Sequence, residues 1–244
     1  MRSVVVTGAS RGLGLAIARR LAGGGWRVIA VARRESDQLT AAAQEFAGNQ
    51  AGSLHFKPFD LEKVGEIPAM VKELRKEFGS IYALVNNAGL GTSGVLATMR
   101  DAQIERLIRL NVLSPLTLTK YIVRSMMADG GGRIVNVASI VGFTGFSGLS
   151  VYSTTKASLI GFTRSLAREV GQLGINVNAV APGFIDTEMT QGLGDGGRDQ
   201  IMRRSALRRL AEAEDVATAV EFLLDDKTKN VTGTVLTVDA GNTA

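Results

Sequence analysis

The sequence predicts an α/β fold: a doubly wound parallel sheet of seven strands with helices on both faces. Short apolar, β-branched runs alternate with longer amphipathic segments along the whole chain, as repeated β-α units do. The strand runs are apolar throughout rather than alternating, as a sheet covered on both faces requires. No Pro-, Gly- or Ser-rich linker divides the 244 residues, so one domain over 1–244 is expected.

Val4-Val5-Val6 reads as the first strand. Leu13 to Ala22 reads as a helix, because Leu13, Ile17 and Leu21 fall on one face. Arg27 to Ala32 is the second strand and Asp37 to Ala47 the next helix. Leu54 to Phe59 is a strand, followed by a helix from Glu62 to Phe78. Ile81 to Val85 is the fourth strand. Two helices follow, Asp101 to Leu110 and Val112 to Ala128, then the strand Arg133 to Ala138. A long helix runs from Val151 to Leu173 and the strand Ile175 to Ala181 follows it. Gln200 to Leu207 and Asp215 to Leu224 read as helices, and Val235 to Val238 as the last strand.

Composition narrows the chemistry. There is no Cys and one His, His55. That excludes disulfides, thiolate nucleophiles, Fe–S clusters, cysteine zinc sites and most histidine metal clusters. Chemistry must run on Ser, Tyr, Lys, Asn, Asp, Glu, Arg or a cofactor, and no metal site is expected. A net charge of +5 with no run of like charges argues against a nucleic-acid tail. No apolar run reaches the ~18 residues of a membrane span. Met1-Arg2-Ser3 leads straight into the first strand, without the apolar core of a signal peptide, so a cytoplasmic protein is expected.

Glycine is in excess, 29 residues. Part of that excess lies in Thr7-Gly8-Ala9-Ser10-Arg11-Gly12-Leu13-Gly14, between the first strand and the first helix. Gly8, Gly12 and Gly14 there allow a tight turn and close backbone approach to a pyrophosphate, while the helix start favours phosphate. The spacing is GxxxGxG and no Gly-Lys-Ser/Thr ending follows, which excludes a nucleotide-triphosphate loop. A site for NAD would place an acid at the end of strand two. Here the strand ends Val31-Ala32-Arg33-Arg34, and Arg11 sits in the loop itself. Guanidinium groups at these places suit a 2′-phosphate, so NADP(H) is the expected cofactor.

Further along, Asn86-Asn87-Ala88-Gly89, Asn111, Ser139, Tyr152-Ser153-Thr154-Thr155-Lys156 and Pro182-Gly183 follow in order. With the glycine loop they resemble the short-chain dehydrogenases/reductases, over essentially the whole chain. The resemblance implies a Rossmann-type fold and hydride chemistry on a carbonyl or alcohol. The residue types agree with it. Tyr152 and Lys156, four apart, share a helix face. An ammonium there is expected to lower the phenol's pKa, so that Tyr152 exchanges a proton with a substrate oxygen. Ser139 ends a central strand, and its hydroxyl can bond the reacting carbonyl. By resemblance Lys156 also binds the nicotinamide ribose and Asn111 holds a relay water. The resemblance further places Ser10, Arg11 and Leu13 of the loop, Asp60 and Leu61, and Asn86, Asn87, Ala88 and Gly89 at the cofactor, although Asn86 reads equally well as a structural residue bonding backbone between strands. Val112, Pro182, Gly183, Ile185 and Thr187 complete that set.

Within the family, Ser139-Ile140-Val141-Gly142, the Gly161–Val170 and Ala181–Thr190 stretches and Thr232–Gly241 most resemble reductases of 3-oxoacyl thioesters on acyl carrier protein. Substrate is then expected at Ser139, Ile140, Val141, Phe146, Tyr152, Phe184 and Met189, under a lid at about 186–210; core packing accounts for Ile140, Phe146, Phe184 and Met189 equally well. Arg198, Arg203, Arg204, Arg208 and Arg209 read either as a solvated helix face or as contacts for the phosphates of CoA or phosphopantetheine. Where such reductases often carry basic residues for docking an acidic carrier, this chain has Ala128-Asp129-Gly130-Gly131-Gly132 and Gln172-Leu173. Acyl carrier protein is therefore a possible partner without matched docking residues. Reduction of another ketone or oxidation of another secondary alcohol, such as a sugar, steroid or xenobiotic, is the alternative. A non-enzymatic nucleotide-binding regulator would not need Ser139, Tyr152 and Lys156 together. The resemblance also implies a homotetramer, through the two long helices and the last strand.

Overall fold

The computed structural model describes residues 1–48, 52–185 and 194–244. Its strands form one sheet in the order β3-β2-β1-β4-β5-β6-β7, with every pairing parallel. They are β1 (Ser3–Thr7), β2 (Arg27–Ala32), β3 (Ser53–Pro58), β4 (Ile81–Asn86), β5 (Gly132–Val137), β6 (Ile175–Pro182) and β7 (Val235–Val238). The helices between them are α1 (Gly12–Gly23), α2 (Asp37–Glu45), α3 (Ile67–Phe78), α4 (Asp101–Ile108), α5 (Ser114–Asp129), α6 (Ser150–Val170), α7 (Gly194–Arg204) and α8 (Ala213–Leu224).

Alternation along the strands builds two cores. Val4 and Val6 of β1 face one layer with Ile17 and Leu21 of α1 and Val220 of α8. Val5 faces the other, with Leu74 of α3, Ile122 of α5 and Leu166 of α6. Most strands are therefore buried on both sides. β3 departs from the expected continuous apolar run: only Leu54 of its six residues is buried. It is an edge strand paired on one side alone, so half of its surface stays wet.

Several boundaries differ from those expected, and three of the differences are the larger ones or bear on the site. The helix expected from Glu62 starts at Ile67, after a 3₁₀ turn at Val64–Glu66, because Asp60 Oδ1 accepts from the Glu62 N–H at 3.0 Å and holds a turn there. Pro68 lies in the first turn of α3, where its missing N–H costs nothing. Between α4 and α5 the chain makes a π-helical turn, Arg109–Leu113, around the buried Asn111. α7 covers Gly194–Arg204 where a helix was expected over Gln200 to Leu207.

The order reverses between β1 and β4, and the loops after the parallel strands all leave from one edge. This switch point is where open α/β sheets take ligands. Among the described residues no helix is long and apolar enough to cross a membrane, and no His/Asp/Glu cluster could hold a metal ion.

Candidate active site

The glycine loop runs from the end of β1 into α1. Gly8 has φ +67°, and a Cβ there would come within 2.9 Å of the Ala88 Cα. A Cβ on Gly14 would lie 2.2 Å from the Gly8 carbonyl oxygen and 2.5 Å from Asn87 Nδ2. Strand, loop and helix pack too closely there for any side chain. Asn87 fastens the loop to β4: its side-chain amide donates to the Thr7 carbonyl at 2.8 Å. Thr7 Oγ1 accepts from the Asn87 and Ala88 backbone N–H groups, both at 2.9 Å. Ser36, the N-cap of α2, donates its hydroxyl to the Ser10 carbonyl. Arg11 caps α1 with extended backbone and no side-chain bond to the helix, and the first turn holds no acidic residue. Its N–H groups therefore face an edge of positive potential. Arg33 and Arg34 are exposed just after β2. Asp60 is half-buried after β3, while its neighbour Leu61, at 6% exposure, packs into the α3-side core.

The second half of the site lies after β4, β5 and β6. Ser139 follows β5 and caps a 3₁₀ turn, Ile140–Gly142. Its hydroxyl makes two long contacts, accepting from the Val141 N–H and donating to the Pro182 carbonyl, each at 3.4 Å. It is therefore loosely held and able to turn to a better partner. That 3₁₀ turn presses on α6, since a Cβ on Gly142 would lie 3.0 Å from the Lys156 carbonyl carbon. Tyr152 and Lys156 occupy the first turns of α6, as their spacing predicts. Lys156 is buried, and its Nζ donates to the Val137 carbonyl at 2.9 Å. This bond brings it to the end of β5, two residues before Ser139.

Electrostatics departs from expectation at Tyr152. The neighbouring ammonium was expected to lower the phenol's pKa; burial instead pushes it up to about 12. The same burial lowers Lys156 to about 8. Removing both groups from water disfavours a phenolate and an ammonium alike, and the lysine's hydrogen bond goes to a carbonyl rather than to the phenol.

Asn111 is 2% exposed and its side chain is fully engaged as a donor. Nδ2 donates to the Leu90 carbonyl at 2.8 Å and to Thr155 Oγ1 at 3.1 Å, while Oδ1 accepts from the Leu90 N–H at 2.8 Å. Gly89, one residue earlier, is exposed beside it, and Val112 lies in the same π-helical turn. Asn86 sits below the site, donating to Thr119 Oγ1 and Asn136 Oδ1 inside the core. Both of its donor bonds stay inside the protein.

The expected lining divides. The rings of Phe146 and Phe184 meet edge to face with centroids 5.5 Å apart. Ile140 and Val141, expected at the substrate, are instead 1% and 5% exposed. They point into the protein because their 3₁₀ turn packs flat on α6, and the exposed apolar residue next to that turn is Phe143. Pro182 ends β6 at the site edge with Gly183 next to it, and the buried Ile185 bridges to Ala211. Thr187, Met189 and the 186–193 part of the lid expected at about 186–210 lie outside the described residues. Sequence reasoning missed Thr155, whose hydroxyl joins Asn111 to α6; a threonine inside the Tyr-Lys spacing was the only signal.

A family model for short chain dehydrogenase matches residues 2–197. The chain is 40% identical over 237 residues to the 3-oxoacyl-(acyl-carrier-protein) reductase FabG of Escherichia coli (strain K12), covering 97% of this chain and 95% of that protein. It is 37% identical over 240 residues to the reductase of the same name from Staphylococcus epidermidis (strain RP62A), covering 98% of each. A gluconate 5-dehydrogenase from Burkholderia cenocepacia J2315, solved in complex with NADP and tartrate, superposes with a TM-score of 0.93 at 28% identity, over 99% of this chain and 95% of that one. With a matching family model over most of its length and relatives this similar end to end, the chain belongs to the short-chain dehydrogenase family of oxidoreductases.

Proposed function

We propose that this chain is an NADPH-dependent reductase of 3-oxoacyl thioesters, acting as one catalytic domain. The observation that carries the reading is the end-to-end identity with 3-oxoacyl-(acyl-carrier-protein) reductases, joined to an intact Ser139, Tyr152 and Lys156 at one sheet edge. The residues fit the dinucleotide. Gly12 has φ +54° and open space where a Cβ would stand, which leaves the start of α1 clear for a pyrophosphate. Arg11, Arg33 and Arg34 supply cations for a 2′-phosphate. Ser10, Leu13, Asp60, Ala88 and Gly89 line the same edge.

Bound there, NADPH supplies hydride chemistry. Negative charge develops on the carbonyl oxygen of the ketone, and Ser139 donates a hydrogen bond to it. Tyr152, still protonated at neutral pH with its pKa near 12, gives that oxygen its proton. Lys156 is largely charged below pH 8; it adds positive potential beside the phenol and holds the ribose. Phe146 and Phe184 present an apolar wall to the acyl chain.

Arg203, Arg204, Arg208 and Arg209 are exposed, and a cavity of about 240 Å³ lies between Asp199, Met202, Arg203 and Arg208. These arginines would meet the phosphates of CoA or phosphopantetheine. At the first of the unmatched carrier-docking places, Asp129 is committed to Arg75 at 3.0 Å and Ser80 at 2.8 Å. Assembly as a homotetramer through α5, α6 and β7 is part of this reading, and light scattering measures it.

The likeness to a gluconate 5-dehydrogenase supports one other reading, oxidation of a sugar-acid alcohol or reduction of its ketone. The deciding experiment gives the protein NADPH or NADH with acetoacetyl-CoA, a 3-oxoacyl carrier protein and a panel of ketones including keto-gluconate. The proposal requires the thioesters to be reduced fastest and with NADPH. Preference for keto-gluconate moves the assignment to the second reading.

A further inference from the structure

Thr155 stands between Tyr152 and Lys156 on α6 and is completely buried. Its hydroxyl donates to the Tyr152 carbonyl at 2.7 Å and accepts from Asn111 Nδ2 at 3.1 Å. The other amide proton and the side-chain oxygen of Asn111 both go to Leu90, next to the exposed Gly89. One hydroxyl thus closes a path through three segments: the loop after β4, the π-helical turn and the first turn of α6.

Nothing else explains an oxygen at this position. Inside a helix threonine is a poorer former than alanine, and a buried hydroxyl costs free energy unless it is bonded. Back-bonding to the residue three before it is an ordinary way to satisfy the donor. The acceptor side need not have been used, yet it is, by the one buried residue of the π-helical turn. Such turns interrupt a helix at a cost and recur at functional sites. Asn111 is aimed by that turn, and its aim ends on Thr155.

We propose that Thr155 is a positioning residue for the reaction: it locks the Tyr152 turn of α6 to Asn111 and, through Asn111, to the Leu90 loop. The inference rests on the proposed reductase function, in which Tyr152 delivers the proton. Thr155 touches neither substrate nor cofactor in this account; it sets where the phenol stands relative to the loop that borders the dinucleotide. A displacement of about 1 Å at a reacting group costs on the order of 10²-fold in rate, so a lost tether is read in kcat.

Three variants test it. Thr155→Val keeps the shape and removes both bonds, Thr155→Ser keeps the hydroxyl, and Thr155→Ala repeats the deletion without the added methyl should the valine variant fold poorly. Rates are taken relative to the wild type on whichever ketone the wild type reduces. Failure on acyl thioesters therefore overturns the thioester assignment and leaves this test readable. Thr155→Val is expected to lose about tenfold or more in kcat with the KM values nearly unchanged, and Thr155→Ser to recover about half or more of the rate. In the protein without nucleotide, hydrogen exchange at the Leu90 amide should quicken in Thr155→Val and stay at the wild-type rate in Thr155→Ser. The proposal is overturned by a folded hydroxyl-deleted variant with wild-type kcat, by a serine variant as slow as the valine one, or by Leu90 exchange that does not respond.

Discussion

The Lys156 ammonium stands 5.7 Å from the centre of the Tyr152 ring, yet its hydrogen bond goes to the Val137 carbonyl at 2.9 Å. The two side chains share one face of α6 without meeting at the phenol. Burial therefore sets both acidities, and each group is held toward its neutral form: the tyrosine at about 12, the lysine at about 8.

Lys156 should cost stability. An unfolded chain presents a lysine near 10.5 and the folded one near 8. Between those values the unfolded chain binds more protons, so stability rises with pH across that window. Below about pH 8 the buried charge costs roughly 3 kcal/mol, offset by roughly 1 kcal/mol for the bond to Val137. Lys156→Met is expected to be inactive but harder to unfold at pH 7, with its advantage fading from pH 8 to pH 10.5. Equilibrium urea titrations at pH 7 and pH 10 measure both ends.

Tyr152 makes the two directions of reaction respond differently to pH. Reduction uses the protonated phenol, which is present throughout the neutral range. Alcohol oxidation uses the phenolate, whose share grows about tenfold per pH unit below the pKa. From pH 6 to 8, where Lys156 keeps most of its charge, the oxidation kcat should climb with a log slope near one while reduction stays nearly level. A plateau in oxidation below pH 8 would contradict this assignment. Tyr152→Phe should lose about 10²- to 10⁴-fold in both directions and still bind NADPH in a fluorescence titration.

What the sequence made legible follows from the range of the interaction involved. β2 and β7 have the bounds expected of them, because local apolar runs define them. Tyr152 and Lys156 were legible because the ordered motifs resemble those of the short-chain dehydrogenases/reductases, and helical spacing then puts the two on one face. The shift at Tyr152 was not, because burial depends on how β5, α6 and the Ile140–Gly142 turn pack. Ile140 and Val141 were misplaced for the same reason: apolar residues beside a site look alike whether they face the ligand or the core. The π-helical turn at Asn111 showed only as a gap between two helical patterns, since 3.6-residue periodicity does not register an added residue. Thr155 gave no periodic signal at all; its role depends on Asn111, which is distant in sequence.

Cofactor choice rests on Arg33 and Arg34, which are exposed at the end of β2. A charge-assisted hydrogen bond contributes about 1.5–3 kcal/mol. The double variant Arg33→Ala/Arg34→Ala should therefore lose about 10- to 100-fold in kcat/KM with NADPH and change little with NADH. Steady-state kinetics with each dinucleotide checks the split. An equal loss with both would assign the arginines to general phosphate attraction rather than to the 2′-phosphate.

Gly14 and Gly23 lie in the same helix and should respond to alanine in opposite directions. Alanine in a helix is normally favoured over glycine by roughly 1 kcal/mol. At Gly23 nothing stands within 4 Å of an added Cβ, so Gly23→Ala should stabilise by about that amount or less. At Gly14 the added carbon would sit 2.2 Å from the Gly8 carbonyl oxygen and 2.5 Å from Asn87 Nδ2. The first obstacle is backbone, and the second is the amide that fastens the loop to Thr7, so neither yields cheaply. Overpacking of this kind costs about 1–3 kcal/mol, which outweighs the helical gain. Relief comes only by moving α1 away from the loop, which also moves the N–H groups offered to the pyrophosphate. Gly14→Ala should thus lower the thermal midpoint and weaken NADPH binding together, whereas Gly23→Ala should raise the midpoint and leave binding alone. Thermal melts with and without NADPH separate the two cases.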